Sequence, residues 1–389
     1  MESALPPKHR ALVLEALGSG FQVKQLPTPQ PDTGSVIVRV TTAGVLPYHG
    51  DTYDGKRPNS FPTPLVGGFG AIGHVAAVGS DATALKPGQL VYVDCVIRAR
   101  DDPDSFFLTA IYQGSSDGSK KLMHEVWRNG TFADYVKVPL ENCIVLDQTR
   151  LCDDLGYSVH DLMYMAYLLV PFGGLRDIKL EAGETIVVCP ATGFYGSLGV
   201  QLAAAMGARV IAMGRSEEKL AKLVKDIQKG LPRADIGTVR ITGDEDKDAG
   251  ALRAFGAADA VLDITPAAAS SSTHTKSAIK ALRRGGRVSL MGSTGNIGVP
   301  QIMINNITLK GTVSPFKSLM LALMVCTLVG KMMYEREAIV HFVKMLERGL
   351  LPLGRDLMET KIFSLDSWKT AFDAATEHNG ISKCVVLEP

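Results

Sequence analysis

A glycine-containing turn in the middle of the chain has the residue types and spacing of a phosphate-binding loop. Its A-x-G-x-x-G arrangement is formed by Ala191, Thr192, Gly193, Phe194, Tyr195 and Gly196. The first glycine lets the backbone approach a pyrophosphate, and the second lets the following helix pack closely against the preceding strand. The N-terminus of that helix adds free N–H groups and a positive dipole end. We therefore expect these residues to bind a dinucleotide; the alternative is a tight turn without that role.

The strand that follows this turn ends in residues typical of a binding site for a 2′-phosphate. They are Gly214, Arg215 and Ser216, with Lys219 one helical turn later. An NAD-binding protein would place Asp or Glu here to accept a hydrogen bond from the ribose 2′-hydroxyl. A guanidinium instead binds a phosphate through paired hydrogen bonds, a serine hydroxyl donates another, and lysine adds positive charge. The pattern predicts NADP(H) rather than NAD(H), unless Arg215 is only a solvated residue at a helix start.

Strands and helices alternate around this turn, which indicates a parallel sheet covered by helices on both faces. Apolar runs predict strands at residues 184–189, 209–213, 260–264, 287–291 and 307–310. Helices are predicted at residues 197–206 and 277–284. The glycine turn follows the first of these strands, and Arg215 follows the second.

The first third of the chain has the pattern of short strands joined by turns. Strands are predicted at residues 11–14, 35–41, 73–78 and 90–93, and the C-terminal region adds a helix at 364–377 and a strand at 383–387. Residues 98–129 form a long polar stretch without a clear period. A loop of this length inside a compact domain is usually functional or specific to one lineage.

Composition favours a small-molecule function. The 389 residues suffice for two domains with separate cores, and the formal net charge is +1. Lysine and arginine are not concentrated in any segment, which argues against a nucleic acid or an anionic membrane as partner. The six cysteines have no metal-ligand spacing, so we interpret them as reduced thiols.

Residues 319–329 are apolar on every face, but they fall short of the roughly 18 residues needed to span a bilayer. A buried helix or a contact between two copies of the chain is the favoured interpretation. A peripheral membrane contact and a poorly packed insertion are alternatives, and no stable membrane insertion is expected. Residues 1–14 lack an apolar signal region and the final residues carry no sorting or lipidation motif, so we expect a cytoplasmic location.

Motifs along nearly the whole chain point to one superfamily. They lie at residues 64–79, which are similar to P-x-x-x-G-H-E-x-x-G-x-V-x-x-V-G, at 86–91 (K-x-G-D-x-V), at 130–136 (G-G-F-A-E-Y), at 183–185, and at 285–288 with Gly292. Together they resemble the medium-chain dehydrogenase/reductase superfamily. The resemblance implies an α/β plus β fold, in which a GroES-like, β-barrel-type catalytic domain is joined to a doubly wound, parallel-sheet Rossmann domain. The implied boundaries are 1–165 for the catalytic domain, 166–316 for the Rossmann domain and 317–389 for a C-terminal return to the catalytic domain. The resemblance also adds Thr265 and Gly292 to the cofactor-binding residues.

The sequence departs from the zinc-containing members of this superfamily. Those members carry a cysteine in G-V-C, a histidine in G-H-E and a later cysteine or acidic ligand, and the corresponding positions here hold Leu46, Phe69 and Asp161. The segment 96–128, which would carry four cysteines for a structural zinc, contains none. Two apolar residues and one carboxylate do not hold a divalent cation, so we expect no metal. The alternative is a regrouped site formed by His49, His74, His160 and Asp161.

Without a metal, hydrogen-bond donors must stabilise the negative charge that hydride transfer leaves on a substrate oxygen. Tyr48 lies two residues after the replaced cysteine, where zinc-containing relatives carry the hydroxyl of their proton relay. We expect Tyr48 to donate to an enolate, His49 to exchange that proton with solvent, and Asp51 to orient one of them. Tyr53 is similar to a tyrosine that lines the quinone-reductase pocket. In the alternative interpretation Tyr48 only packs, and His49 is a satisfied surface histidine.

Zinc-free relatives in this superfamily are typically quinone oxidoreductases and enoyl reductases. The resemblance therefore implies NADPH-dependent hydride transfer to a conjugated enone or a quinone. A zinc-free carbonyl reductase or alcohol dehydrogenase, with Tyr48 as obligatory acid, and a redox-silent NADPH-binding protein are the alternatives. The identity of the small-molecule substrate is left open. A homodimer is common in the superfamily, and the Rossmann-sheet edge near residues 302–310 is its expected place.

Overall fold

The computed structural model describes residues 5–102, 104–295, 308–313, 329–353 and 357–389. The chain divides into two units. Unit 1 is formed by residues 1–166 and 353–389, and unit 2 by residues 167–352. The predicted segment 319–329 lies outside the described residues, except for Val329.

Strands of unit 1 come from both ends of the chain, whereas those of unit 2 form one continuous series. In chain order the strands are β1 (Lys8–Leu14), β2 (Phe21–Pro27), β3 (Ser35–Gly44), β4 (Leu65–Val66), β5 (Ala71–Val78), β6 (Leu90–Val93), β7 (Val96–Arg98), β8 (Phe106–Leu108), β9 (Tyr135–Pro139), β10 (Cys143–Val145), β11 (Thr185–Cys189), β12 (Arg209–Gly214), β13 (Ile236–Arg240), β14 (Ala258–Asp263), β15 (Leu282–Leu290), β16 (Thr308–Val313), β17 (Val329–Met332), β18 (Glu359–Ser364) and β19 (Lys383–Glu388).

Both units contain helices, and the three longest described helices that lie wholly within one unit belong to unit 2. In chain order they are α1 (His49–Tyr53), α2 (Asp117–Lys121), α3 (Val159–Leu162), α4 (Met165–Asp177), α5 (Phe194–Ala205), α6 (Glu217–Gly230), α7 (Glu245–Arg253), α8 (His274–Lys280), α9 (Arg336–Glu347) and α10 (Trp368–Glu377). Of these, α10 belongs to unit 1 and α9 to unit 2. Within the part of the chain that the structure describes, no helix has both the length and the apolar character needed to cross a bilayer.

Unit 1 is built on a sheet of order β10-β6-β5-β3-β19-β18, with β9 also paired to β3. The C-terminal β19 completes this sheet, since Val386 pairs with Gly44 of β3. A second sheet has the order β2-β1-β4. The core contains apolar strand residues and a group of aromatic side chains that includes Phe132 and Phe372. The two sheets, antiparallel except for the parallel pair β18 and β19, and their apolar core agree with the predicted β-rich domain.

Unit 2 contains a parallel sheet of order β13-β12-β11-β14-β15-β16-β17. Its central strands β11, β12 and β14 consist almost entirely of buried residues, because helices cover both faces of a doubly wound sheet. The chain passes from β11 to β12 on one side and later reaches β14 on the other side of β11. Ligands of open α/β sheets bind at this reversal, outside the carboxyl ends of the strands. The predicted doubly wound sheet is therefore confirmed.

Several details differ from the sequence-based expectations. The helix predicted at 277–284 starts earlier, at His274, and ends at Lys280, because residues from Leu282 onward join β15. The long polar stretch 98–129 is not a structureless loop: it contains β8, which pairs with β7, followed by α2 and a turn of π-helix at Leu122–Val126.

The predicted C-terminal return and the predicted dimer edge also need correction. Residues 329–352 belong to unit 2, since β17 pairs with β16, so the return to unit 1 begins later than residue 317. Strand β16 pairs with both β15 and β17, so Lys310, which has a register partner in each, is not at an edge of the sheet. Residues 302–307 of that expected contact lie outside the described residues.

Candidate functional site: a dinucleotide-binding turn

The glycine turn connects β11 to α5 at the carboxyl end of the parallel sheet. Gly193 precedes the first residue of α5, and the Ala191 N–H donates to the Met213 carbonyl of β12 at 2.7 Å. A Cβ at Gly196 would lie 2.1 Å from the Pro190 carbonyl oxygen, a contact that no larger residue makes without moving the backbone. Gly196 thus permits the close approach of helix and turn that the sequence predicts.

Gly193 has a different environment, which suits a ligand. Its φ of −79° is accessible to any residue, so the backbone conformation does not require glycine. A Cβ there would meet no atom within 4 Å. The position is exposed, at the N-terminus of a helix of 12 residues, where the positive end of the helix dipole favours an anion. Phe194 and Tyr195 follow it with their rings 4.8 Å apart, half-buried.

The expected 2′-phosphate residues lie at the end of the neighbouring strand. Arg215 and Lys219 are exposed, and Ser216 begins α6 by accepting a hydrogen bond from the Lys219 N–H at 3.2 Å. This cap uses an acceptor lone pair of the Ser216 hydroxyl and leaves its proton available for an anion. Gly214 lets the end of β12 pack closely against the glycine turn, because a Cβ there would lie 3.1 Å from the Thr192 side chain.

A second arginine lies beside this group and was not predicted from sequence. Arg240 ends β13 and is the register partner of Gly214. Its guanidinium lies 3.7 Å from the Glu217 carboxylate, so it offsets part of the acidic charge at the start of α6. Its position at the end of an edge strand was the available signal, but that strand was not predicted.

On the other side of β11, Thr265 and Gly292 are in direct backbone contact. Thr265 follows β14, and its carbonyl accepts a hydrogen bond from the Ser293 N–H at 2.8 Å. A Cβ at Gly292 would lie 2.2 Å from the Thr265 nitrogen, so only glycine fits there without rearrangement. The two predicted residues are therefore brought together by the loops that follow β14 and β15.

Thr265 also belongs to a buried polar network that the sequence did not indicate. The Asp263 carboxylate accepts hydrogen bonds from the Thr265 N–H (3.1 Å), the Thr265 hydroxyl (2.9 Å) and the Thr275 hydroxyl (2.6 Å). The His274 Nε2 lies 2.7 Å from the Thr265 hydroxyl, and its Nδ1 lies 2.7 Å from the Ser272 hydroxyl. Burial raises the pKa of Asp263 and lowers the pKa of His274, each opposed by the charge of the other.

Cys189, Asp263 and His274 form the one group of three potential metal ligands found among the described residues, with ligand atoms within 4.8 Å of one another. The carboxylate and the imidazole of this group already use their polar atoms in the hydrogen bonds above. Burial, with the Asp263 charge, raises the pKa of the Cys189 thiol well above its usual value, which disfavours the thiolate that binds metals. These contacts favour a hydrogen-bond network over a metal centre.

In unit 1, Tyr48 is the predicted catalytic residue that is accessible. Its side chain is half-buried, and it precedes α1. The guanidinium carbon of Arg57 lies 4.3 Å from the centroid of its ring, within the range of a cation–π interaction. The cation therefore stacks on the ring face.

His49 does not have the surroundings expected of a group that exchanges protons with solvent. Its side chain is fully buried among the aromatic rings of Tyr53, Phe69, Phe132 and Phe372. Its Nδ1 accepts from the Leu46 N–H at 3.2 Å, while Nε2 finds no partner among the described residues. Burial lowers its pKa to about 3, so the ring is neutral at physiological pH. The predicted proton exchange with solvent is therefore wrong, and so is the surface-histidine alternative.

Tyr53 is likewise part of the core rather than an exposed wall of a pocket. It is 3% exposed, and its hydroxyl accepts a hydrogen bond from the Gly68 N–H at 3.0 Å. Burial raises the pKa of this phenol well above its usual range. Asp51, predicted to orient these groups, is exposed and lies 3.7 Å from Lys56.

Comparison with known proteins identifies the family. Residues 32–148 match the family described as "Alcohol dehydrogenase GroES-like domain", and residues 196–324 match that described as "Zinc-binding dehydrogenase". These segments together cover more than half of the chain. The first lies within unit 1 and the second within unit 2. The chain belongs to the medium-chain dehydrogenase/reductase superfamily.

Curated members of the superfamily resemble part of the chain. An acryloyl-coenzyme A reductase from Metallosphaera sedula is 30% identical over 213 residues, which cover 54% of this chain and 60% of the relative. Alcohol dehydrogenase 1 of Caenorhabditis elegans is 25% identical over 224 residues, covering 56% of this chain and 60% of the relative. The match thus spans about 60% of the length of each of these relatives.

Solved structures of the superfamily share the fold. An alcohol dehydrogenase from Thermus sp. ATN1 has a TM-score of 0.71 and 19% identity, covering 97% of this chain and 99% of its own. An NAD-dependent alcohol dehydrogenase has a TM-score of 0.70 and 21% identity, covering 98% of this chain and 99% of its own. At this identity the likeness concerns architecture alone.

The residues at the superfamily's zinc positions do not fit a zinc ion. Leu46 and Phe69 are apolar and almost fully buried, so neither offers a ligand atom. The Asp161 carboxylate accepts a hydrogen bond from the Thr360 hydroxyl at 2.6 Å. The histidines of the regrouped alternative have separate surroundings: His49 lies in the aromatic core, and His74 is 3.4 Å from both Thr41 and Gln148.

Proposed function

We propose that this protein is an NADPH-dependent oxidoreductase that reduces a conjugated enone or a quinone without a zinc ion. The observation that carries the proposal is the carboxyl edge of the parallel sheet. There, a glycine turn with open space at Gly193 lies beside strand β12, which is followed directly by Arg215 and Ser216. The first feature suits a pyrophosphate, and the second suits a phosphorylated ribose.

Three cationic side chains support the preference for NADP(H). Arg215 and Lys219 are exposed, and Arg240 ends the adjacent strand. An acidic residue at position 215, as in NAD-binding relatives of this fold, would repel a 2′-phosphate and accept from a free 2′-hydroxyl instead. Glu217 and Glu218, in the first turn of α6, oppose the preference; the first of them is partly neutralised by Arg240.

The chemistry follows from the absence of ligand atoms at Leu46 and Phe69. When bound, the reduced nicotinamide supplies a hydride. The product oxygen then carries negative charge, which no cation at these two positions would stabilise. Conjugated substrates delocalise this charge, so they need only a hydrogen-bond donor. Tyr48 is the proposed donor, and the stacked Arg57 adds positive charge close to its ring.

The relative from Metallosphaera sedula supports the same substrate class. Its name, acryloyl-coenzyme A reductase, specifies a substrate whose C=C bond is conjugated to a thioester carbonyl. Reduction of such a bond passes through an enolate, which a phenol can protonate or hydrogen-bond.

Cofactor titration of the full chain tests the first half of the proposal. We expect NADPH to bind tighter than NADH, and Arg215→Ala to weaken NADPH binding by roughly 10- to 100-fold with little change for NADH, because charge-assisted hydrogen bonds are lost. Arg233→Ala is the matched control: this exposed arginine precedes β13, at the amino ends of the strands. Tighter binding of NADH by the wild type would contradict the proposed preference.

Oxidation of NADPH in the presence of quinones, enones and aldehydes tests the second half. Turnover of quinones or enones by protein without stoichiometric metal is the expected result. Stoichiometric bound zinc would refute the zinc-free chemistry, and tight NADPH binding without turnover of any substrate would indicate a redox-silent protein.

A zinc-free carbonyl reductase is the second candidate. It is favoured by the accessible Tyr48 and by relatives named alcohol dehydrogenases. Turnover restricted to aldehydes and abolished in Tyr48→Phe would support it over enone or quinone reduction.

A further inference from the structure

The buried network around Asp263 connects described segments that meet at the carboxyl ends of β11, β14 and β15. The Ile264 N–H donates to the Cys189 carbonyl at 2.9 Å, just before the glycine turn. The Asp263 carboxylate binds both the N–H and the hydroxyl of Thr265, which fixes the first residues after β14. The Thr265 carbonyl in turn accepts from Ser293, which fixes the loop after β15.

The start of α8 closes this network. The Thr275 hydroxyl donates to Asp263 at 2.6 Å, and the Thr294 hydroxyl donates to Thr275 at 3.1 Å. His274 lies 2.7 Å from the Thr265 hydroxyl. Two side chains of α8 therefore hold the two loops that follow β14 and β15.

The proton positions in this network are determined by its donors and acceptors. The Thr265 hydroxyl has one proton, which it donates to Asp263. It must therefore accept at 2.7 Å from a proton on His274 Nε2. If the ring is neutral, Nδ1 then accepts from the Ser272 hydroxyl. A neutral His274 and an Asp263 carboxylate satisfy every polar atom in this chain of contacts.

The location of the network relates it to one end of the proposed cofactor. Arg215 and Ser216 follow β12, on one side of β11, whereas Thr265 and Gly292 follow β14 and β15, on the other side. A dinucleotide that crosses the glycine turn with its 2′-phosphate at Arg215 must extend its nicotinamide end toward these loops.

We propose that Asp263 and His274 are positioning residues that hold the Thr265 and Gly292 loops in the shape that binds the nicotinamide end of the cofactor. The inference rests on the proposed dinucleotide function. Asp263 and His274 act through Thr265, because both are almost fully buried and contact its backbone or its hydroxyl. Their loss is expected to weaken binding of the nicotinamide end and to leave the adenosine end unaffected.

Two ligands distinguish binding at the nicotinamide end from binding at the adenosine end of the proposed cofactor site. NADPH engages both, whereas adenosine 2′,5′-bisphosphate engages the adenosine end alone. For His274→Ala, we expect the Kd of NADPH to rise roughly 10-fold or more, since the buried Thr265 hydroxyl loses the donor among its two partners, while the Kd of the bisphosphate changes less than about 2-fold. His274→Gln places an amide N–H near the position of Nε2 and is expected to restore most of the affinity for NADPH.

Ser289→Ala is the matched control. This hydroxyl is buried in β15 and finds no hydrogen-bond partner among the described residues, so its removal should change neither Kd. Asp263→Asn is a second probe, because an amide cannot accept from all the donors that face this carboxylate. It should weaken NADPH binding selectively, as His274→Ala does.

The result that overturns the inference is an equal effect on both ligands, or no effect on either, in His274→Ala. An equal loss of both, accompanied by a lower melting temperature, would show that the network only stabilises the fold. The same titrations with NADH and 5′-AMP keep the experiment decisive if the 2′-phosphate preference is wrong. Failure of the wild type to bind either dinucleotide would refute the proposed function itself, and the inference with it.

Discussion

The buried imidazole of His49 should make the stability of unit 1 depend on pH. Its folded-state pKa is lowered by burial to about 3, from an ordinary value of 6.5. Between these two values the unfolded state binds a proton and the folded state does not. The free energy of unfolding therefore rises with pH in this window, and stability is lost as the pH falls from 6.5 toward 3.

The size of the effect follows from the two pKa values. One pKa unit corresponds to about 1.4 kcal/mol, and integration of the two titration curves from pH 7 to pH 5 gives a loss of about 2 kcal/mol from this residue. Few carboxylates titrate in that range. The loss is a large fraction of the roughly 5–15 kcal/mol that stabilises a typical domain.

Tryptophan fluorescence offers a selective assay for this unit. The chain has two tryptophans, Trp127 and Trp368, and both lie in unit 1. Trp368 packs 5.4 Å from Phe372, whose ring lies 5.7 Å from that of His49. Urea unfolding followed by fluorescence at pH 7 and pH 5 therefore reports on the core that surrounds the imidazole.

The comparison variant is His49→Asn, whose amide oxygen can still accept from the Leu46 N–H but does not titrate. This variant loses some packing at every pH, so its absolute stability is lower. Its free energy of unfolding should fall by about 2 kcal/mol less than that of the wild type between pH 7 and pH 5. Parallel pH dependence in the two proteins would refute the reasoning and show that His49 reaches solvent.

Three further outcomes are expected. Gly196→Ala should destabilise the fold by about 1–3 kcal/mol in urea unfolding, because its Cβ would meet the Pro190 carbonyl at 2.1 Å. Gly193→Ala should keep wild-type stability, because its Cβ enters only the open space above the turn. The same Cβ should weaken NADPH binding in titration. Equal stability of the two alanine variants would contradict this assignment. Ser216→Ala should cost about 1 kcal/mol in the same unfolding measurement through loss of the α6 cap, and it should also weaken NADPH more than NADH. An unchanged ratio of the two affinities would show that the hydroxyl serves the helix alone. Tyr48→Phe should lower the rate of NADPH oxidation about 100-fold without changing NADPH affinity, and an unchanged rate would exclude this phenol as the donor.

The sequence was sufficient to predict the doubly wound sheet and the β-rich domain. Short apolar runs and glycine turns are local signals, and the order of strands and helices restricts the topology strongly. Boundaries were less accurate: α8 ended earlier than expected, because nothing local shows that Leu282 extends β15. Strand β13 and the pairing of β7 with β8 were missed, and so was Arg240.

Which polar residues are buried was decided by the tertiary structure. His49 and Tyr53 have the chemistry of catalytic groups, yet Phe132 and Phe372, distant in the chain, surround the imidazole and exclude water from it. Asp263 and His274 gave no signal in sequence, because Thr265 and Thr275 link them only when the loop after β14 packs against the start of α8. The glycine turn at Gly193 and Gly196 and the cationic residue Arg215 could be recognised from the sequence. Each feature depends only on residues that are close together in the chain. The protonation and accessibility of a side chain depend instead on every segment that packs against it, and only the folded structure brings those segments together.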